Sequence, residues 1–220
     1  MPTNQARAGE SAPGCVRREL RLGRLGSVAA FGASLLMCAN VFVGSVAVAA
    51  STRTNVAKYG ISFDLPKDWT QVSLTPGDIG ALLGNASKVN ASVKSFLTTQ
   101  ATAVAKKGLK FFAVGPGGHA SVNIGIFSGT EPLAGLDATA KLGVSSLGAA
   151  QVRTKVVHFT FGSAIEVTYS LSVSGSTAPV YGTQFYASHK NKTYITTFSS
   201  QDGAEENAAA STMMPTWRFS

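Results

Sequence analysis

Residues 152–173 read VRTKVVHFTFGSAIEVTYSLSV, and this stretch decides the fold class. Apolar side chains at positions 165, 167, 169, 171 and 173 alternate with polar ones. A period of two is typical of a β-strand with one face buried. Gly162-Ser163 interrupts the pattern and predicts a two-residue turn between two antiparallel strands.

A second hairpin and a helix are predicted downstream. The strands run from Val180 to His189 and from Thr193 to Ser199, around a turn at Lys190-Asn191. Asp202-Gly203-Ala204-Glu205 matches a capping box, which opens an Ala-rich helix, and Pro215 ends that helix.

Three further strands are predicted upstream, at residues 61–65, 109–114 and 120–127. Gly115-Pro116-Gly117-Gly118 joins the last two strands. A phosphate-binding loop would lead into a helix, whereas a strand follows here, so the glycines predict a turn.

Helices are predicted between these strands. Thr75-Pro76-Gly77-Asp78 has the residues of a helix start, and apolar residues then recur every three or four positions up to Val104. Thr130-Glu131-Pro132 opens another helix, which continues to Leu147. Strands joined by short turns must be antiparallel, so the sequence predicts an α+β fold with apolar helices covering an antiparallel sheet.

The N-terminal segment has the pattern of a secretory signal. Arginines are frequent up to Arg24, no charged residue occurs from Leu25 to Thr52, and Ala47-Val48-Ala49 suits signal peptidase. We therefore expect residues 1–49 to be an N-terminal extension and signal peptide, and residues 50–220 to form a single domain. The uncharged run is also long enough to be an uncleaved membrane anchor.

Both cysteines, Cys15 and Cys38, lie in this leader. Met37 stands where a lipoprotein signal has a small residue, so the pattern does not favour lipidation of Cys38. A product beginning at Ala50 has no cysteine, which excludes disulfides and thiol chemistry from the exported domain.

Residues with catalytic chemistry are few. His119, His158 and His189 are the only histidines, and their spacing matches no metal motif. We therefore predict no cofactor and no metal, and we favour a non-catalytic role. The alternative function is that of an exported hydrolase with a Ser/His/Asp site outside known motifs.

After Ala50 the net charge is +5, and lysines cluster around the predicted long helix, at Lys88, Lys94, Lys106, Lys107 and Lys110. A solvated helix face is the main interpretation of this cluster. The alternative is a positive patch for an acidic envelope polymer, an anionic lipid head group or a partner protein. Basic and aromatic residues do not interleave as nucleic-acid binding requires, so we predict no nucleic-acid partner.

Three segments resemble the PsbP-like proteins. They are the Tyr59-to-Trp69 segment YGISFDLPKDW, the hairpin from Val180 to Ser199, and Pro215-Thr216-Trp217-Arg218-Phe219. Together with the order of elements, they are most similar to bacterial secreted members of the LpqN type. The resemblance implies an α-β-α sandwich with a central antiparallel sheet and a non-catalytic binding or assembly role.

The predicted function is therefore that of an exported binding protein of the cell envelope that contacts a protein or a lipid-like partner. Tyr59, Trp69 and Trp217 are the candidate contact residues. Buried aromatic side chains dominate core energetics, so packing in the core is the competing interpretation of all three.

Overall fold

The computed structural model describes residues 51–72, 108–172 and 178–220. These ranges contain two α-helices, α1 (Leu133–Ser146) and α2 (Gly203–Met213). They also contain the strands β1 (Ser51–Val56), β2 (Ile61–Pro66), β3 (Thr70–Gln71), β4 (Leu109–Val114), β5 (Ala120–Ser128), β6 (Ala150–Phe159), β7 (Gly162–Leu171), β8 (Val180–His189), β9 (Lys192–Ser200) and β10 (Arg218–Phe219).

The strands form two antiparallel sheets. The larger sheet has the order β3-β4-β5-β9-β8-β7-β6, and the smaller has the order β1-β2-β10. Every pairing within the described residues is antiparallel. This arrangement confirms the predicted α+β class with a central antiparallel sheet.

Side chains of the large sheet divide between two faces, because successive residues of a strand point in opposite directions. Face A carries Phe111, Val122, Phe185 and Phe198, and face B carries the alternating apolar residues of β7. Helix α1 covers face B. Its buried residues Leu136, Ala140 and Val144 share a core cluster with Ile165, Val167 and Tyr186.

Face A is covered by α2 and the small sheet. Ala209, Ala210 and Met213 of α2 share a core cluster with Phe63 of β2 and Phe185 of β8. The layers are therefore α2 with the small sheet, the large sheet, and α1, which is the α-β-α sandwich that the family resemblance implied.

The turn between β6 and β7 differs from its prediction. Phe159 pairs with Gly162, so Thr160-Phe161 form the turn, whereas Gly162-Ser163 were predicted to. Gly162 has a φ of 126°, which suits the glycine that follows a type I turn. The glycine therefore marks the end of the turn, and Phe161, predicted to be the last residue of a strand, lies in the turn.

The turn between β8 and β9 follows its prediction. Lys190 and Asn191 both have positive φ values, 43° and 60°, as a type I′ turn requires at both central residues. His189 and Lys192, the residues on either side of this turn, pair with each other. The β6–β7 and β8–β9 turns lie at the same end of the large sheet, which we call the tip.

The start of α2 confirms the predicted N-cap, but the Glu205 side chain does not bond to the backbone amide of Asp202 as a capping box requires. Asp202 is the N-cap residue, and its carboxylate accepts a 2.9 Å hydrogen bond from the Ala204 amide. The backbone amide of Asp202 donates to Ser200 Oγ, and that hydroxyl donates in turn to Glu205. Ser200 therefore stands between the two halves of the predicted capping box.

The small sheet was not foreseen as a separate layer. Residues 61–65 were predicted to be a strand, but β1 and β10 were not, and both pair with β2. The Asp64 amide donates to Thr216 Oγ1 at 2.8 Å, which fixes the segment before β10 against β2.

Two predictions fall on residues outside the described ranges: the leader 1–49, and the helix start at Thr75 with the apolar stripe that follows it up to Val104 and the lysines from Lys88 to Lys107. Among the helices that are described, none has the length and apolarity needed to cross a membrane.

Candidate functional site

A cluster of aromatic rings lies on face A near the tip. Trp217 stands at its centre, with Phe63 stacked on it at 5.3 Å between ring centroids. Phe161 and Phe219 lie 6.3 and 6.0 Å from the Trp217 ring. Phe161 comes from the turn between β6 and β7, whereas Trp217 and Phe219 come from the segment around β10. The cluster therefore joins the small sheet to the large one.

The rings of this tip cluster are buried to different degrees. Trp217 is only 2% exposed, whereas Phe159, Phe161, Phe219 and Tyr59 are partly exposed and pack against the same core. Partly exposed rings in contact with one another form a continuous apolar surface. Such a surface is the part of this end that a partner could cover.

The indole N–H of Trp217 is buried, and none of the described residues accepts a hydrogen bond from it. A buried Trp usually places its N–H on an acceptor, because leaving a buried donor unpaired costs about 1–3 kcal/mol. The tip cluster thus contains an unused donor beneath its exposed rings.

Positive charge surrounds the tip cluster. Lys58 and Lys110 place their Nζ atoms 5.7 and 5.9 Å from the Tyr59 ring centroid, within the range of a cation–π contact. Lys190 Nζ donates to the Ser220 carbonyl, and Arg218 donates to Thr160 Oγ1 at 2.6 Å. These four cations form a basic rim around the aromatic surface.

His189 belongs to the same end. Its imidazole stacks on Phe219, with 4.2 Å between centroids and 2° between planes. Burial and the neighbouring Lys190 both lower the pKa of His189, so the ring is neutral at pH 7. The histidine thus extends the aromatic surface and adds no charge to the rim.

Three acidic residues lie at the other end of the large sheet. Asp202, Glu205 and Glu206 follow Ser200, which ends β9, whereas the tip begins at Lys192. The eight residue steps between Lys192 and Ser200 span roughly 26 Å. Glu131 lies nearer the tip, where its backbone amide donates to Ser188 Oγ, so an acidic residue also lies near the basic rim.

The structure separates the three aromatic residues that the sequence singled out. Tyr59 and Trp217 both lie in the tip cluster, whereas Trp69 follows β2 and packs on Gly115 at the opposite end. A Cβ on Gly115 would approach the Trp69 ring to 3.2 Å, so the glycine permits this contact. Tyr59 and Trp217 can thus belong to one surface that excludes Trp69.

Sequence reasoning missed Phe159, Phe161, Phe219 and His189 as members of this site. Phe159 and Phe161 were assigned to a predicted strand from Val152 to Phe161, and Phe219 joins them only because β10 pairs with β2. The available signal was the density of aromatic residues at 158–161 and 217–219.

Glu206 is a second feature that sequence reasoning did not single out. It lies on α2 and is 3% exposed, and one of its carboxylate oxygens has no hydrogen-bond partner in the part of the chain that the structure describes. Burial raises the pKa of the Glu206 carboxyl to about 7. A hydrogen bond with Thr183 lowers this pKa, and the negative charge of Glu166 raises it further. Positions 206, 209, 210 and 213 are the buried stripe of α2, so helical spacing alone points to this glutamate as buried.

A polar network lies on face B. Gln184 donates to Tyr169 Oη at 3.1 Å and accepts from Tyr186 Oη at 2.7 Å. The Tyr169 ring lies over Gly182, where a Cβ would come within 2.4 Å of the ring. The glycine is therefore required for this network, which links β7 to β8 in the core and is too buried to be a contact surface.

The histidines do not converge on a catalytic group. His158 Nδ1 lies 2.9 Å from Ser163 Oγ at an exposed position, and no acid within the described residues hydrogen-bonds to His158. A Ser/His/Asp site needs that acid to orient the imidazole. No group of three or more His, Cys, Asp or Glu side chains in the described ranges is placed to hold a metal ion.

Comparison with known proteins found similarity in structure only. No family model matches the sequence, and no curated protein matches it. The cyanobacterial PsbP protein CyanoP of Synechocystis sp. PCC 6803 is 14% identical, with a TM-score of 0.44 over 82% of this chain and 98% of CyanoP.

Two further solved structures are similar. LpqN of Mycobacterium tuberculosis, which is involved in cell envelope biogenesis, is 12% identical, with a TM-score of 0.46 over 78% of this chain and 91% of LpqN. A protein of Bacteroides thetaiotaomicron VPI-5482 is 12% identical, with a TM-score of 0.41 over 73% of this chain. This chain spans 45% of the length of that protein.

Proposed function

We propose that the protein is an exported, non-catalytic binding protein of the bacterial cell envelope, of the LpqN type among PsbP-like proteins. The observation that carries the proposal is the tip cluster, where partly exposed Phe159, Phe161 and Phe219 lie inside a rim of cations. The sequence resemblance and the leader support the family and the compartment.

The chemistry of the tip defines the kind of partner. Aromatic rings supply apolar contact area, and the rim supplies positive charge that attracts an anionic group. A partner that fits both is apolar and carries negative charge beside its apolar part. An envelope protein with an acidic, apolar segment and an anionic lipid-like ligand both meet this description.

Site-specific photocrosslinking in cells tests the proposal and separates these two partners. With p-benzoylphenylalanine in place of Phe161, we expect a covalent adduct, because this ring lies at the exposed side of the tip cluster. Mass spectrometry of the adduct identifies a protein or a lipid.

Position 142 is the matched control for this experiment. Leu142 is 53% exposed on α1, which packs on face B, so the same photoreactive residue there probes an exposed apolar position away from the tip. Equal adduct formation at 142 and 161, or none at either position, would argue against the tip as the contact surface.

The proposed compartment predicts a processed N-terminus. We expect the exported protein to begin at Ala50, after Ala47-Val48-Ala49, because small residues at these positions suit signal peptidase. N-terminal sequencing of the protein from the extracytoplasmic fraction checks this. Recovery of residues 25–52 in a membrane-bound product would instead support the uncleaved anchor.

A further inference from the structure

Among the described residues, the outer edge of β6 is the longest strand edge of the large sheet that has no partner strand. β6 is the last strand in the sheet order, runs from Ala150 to Phe159, and pairs only with β7 among the described residues. The opposite edge is formed by β3, which has two residues. A long edge presents backbone N–H and C=O groups that a further strand can bind.

Two features keep the start of this edge irregular. The register with β7 shifts between Ala150 and Arg153, and Gln151 has a φ of 55°. Bulges of this kind end regular pairing at a sheet edge. The part available to an added strand is therefore Arg153 to Phe159.

The side chains along this part of the edge divide by face. Arg153, Lys155, Val157 and Phe159 lie on face A, and Val156 lies on face B, where it is 50% exposed. No acidic residue occurs in β6, and Lys155 is bound to Glu166 of β7 at 2.9 Å. The edge is therefore basic at its start and apolar toward the tip cluster.

Charge favours a different partner over a second copy. If two copies paired antiparallel about Val156, Arg153 would face Phe159 and Lys155 would face Val157, so neither cation would gain an acidic neighbour. If they paired about Thr154, Arg153 of each copy would face Lys155 of the other. Like charges directly opposite in a sheet are destabilising. An added strand with acidic residues at these two positions would instead gain from each pair.

We propose that β6 binds an extended segment of a partner protein by antiparallel β-strand addition. The segment carries acidic residues opposite Arg153 and Lys155, and apolar residues opposite Val156, Val157 and Phe159. Main-chain hydrogen bonds along the edge supply affinity, and the alternating side chains supply specificity. This edge shares only Phe159 with the tip cluster, and its main-chain contacts run from Arg153 along β6, so the inference does not depend on the proposed tip partner.

A short peptide tests the proposal directly. The probe acetyl-LTVVETE-amide places its two glutamates opposite Lys155 and Arg153 when it pairs antiparallel with β6. We expect it to bind the purified protein and to slow hydrogen exchange at the outward amides of β6, as measured by NMR. No protection at β6, or protection centred on another strand, would overturn the proposal.

Two control peptides separate strand addition from simple charge attraction. The charge-reversed peptide acetyl-LTVVKTK-amide should not protect β6. The acidic peptide with N-methyl groups on alternate amides keeps its charge but cannot donate along one edge, and should lose binding. Equal binding of either control would overturn strand addition to a basic edge, as would β6 protection caused by dimers of the protein alone.

A matched pair of variants tests the charge. Arg153→Glu should weaken binding of the acidic peptide by about fivefold, because an exposed ion pair contributes up to about 1 kcal/mol. Lys67→Glu makes the same charge change at an exposed position after β2 and should leave binding unchanged. If Arg153→Glu perturbs the fold, Arg153→Gln provides the milder change. Equal weakening by the two charge reversals would contradict a specific contact at β6.

Discussion

Replacement of Glu206 by Gln is expected to stabilise the protein at pH 8 by roughly 3 kcal/mol. Burial raises the pKa of Glu206 from an ordinary value of 4.5 to about 7. Between these two values the folded state holds a proton that the unfolded chain has lost. The free energy of unfolding therefore falls as the pH rises from 4.5 to 7, and the deficit persists above pH 7.

The glutamine side chain of the Glu206→Gln variant removes this charge and keeps an acceptor oxygen for Thr183. Urea unfolding of the wild type and the variant at pH 4.5 and pH 8 measures the effect. The two proteins should be similar at pH 4.5 and differ at pH 8. Glu205→Gln is the control on the neighbouring residue, which is less buried and accepts a hydrogen bond from Ser200, so its gain should be smaller. Parallel pH profiles of the wild type and Glu206→Gln would contradict the assignment.

Trp217→Ala is expected to lower the free energy of unfolding by about 3–5 kcal/mol, the usual cost of removing a large buried aromatic side chain. The Trp217 ring contacts Phe63, Phe161 and Phe219, so its loss leaves a cavity between the two sheets. Denaturant unfolding measures the loss. Trp69→Ala removes a partly exposed ring at the other end and should cost less.

Trp217→Phe separates the structural from the contact role of this residue. Phenylalanine keeps an aromatic ring and removes the unpartnered indole N–H. We expect it to retain most of the stability that Trp217→Ala loses. If Trp217→Phe folds normally but reduces crosslinking from position 161, the indole contributes to binding. A loss of less than about 1 kcal/mol in Trp217→Ala would contradict the core placement.

The alternation of apolar and polar residues predicted those strands that have one buried and one more exposed face. The alternation after residue 164 and the alternation at residues 61–65 both appear as observed strands, because burial on one face produces a period of two. The Lys190-Asn191 turn was also predictable. Two positive φ values are needed there, and Asn tolerates that conformation better than most residues.

What the sequence did not predict depends on contacts between distant segments. β10 has two residues and no period of its own, and it becomes a strand only by pairing with β2. Phe161 became a surface residue because the turn lies two positions earlier than Gly162-Ser163 suggested. The candidate site consists largely of such residues, which explains why only Tyr59 and Trp217 of its members were singled out.

The pairing of β10 with β2 has a consequence for the kinetics of folding. The hydrogen bond between Asp64 and Thr216 joins residues 152 positions apart. Contacts of such high sequence separation form slowly, because the loop between them must close first. The small sheet cannot be completed until residues 216–219 have been synthesised. Until then, a nascent chain leaves the β10-facing edge of β2 and the aromatic side chains near it without their final partners, where they are accessible to chaperones.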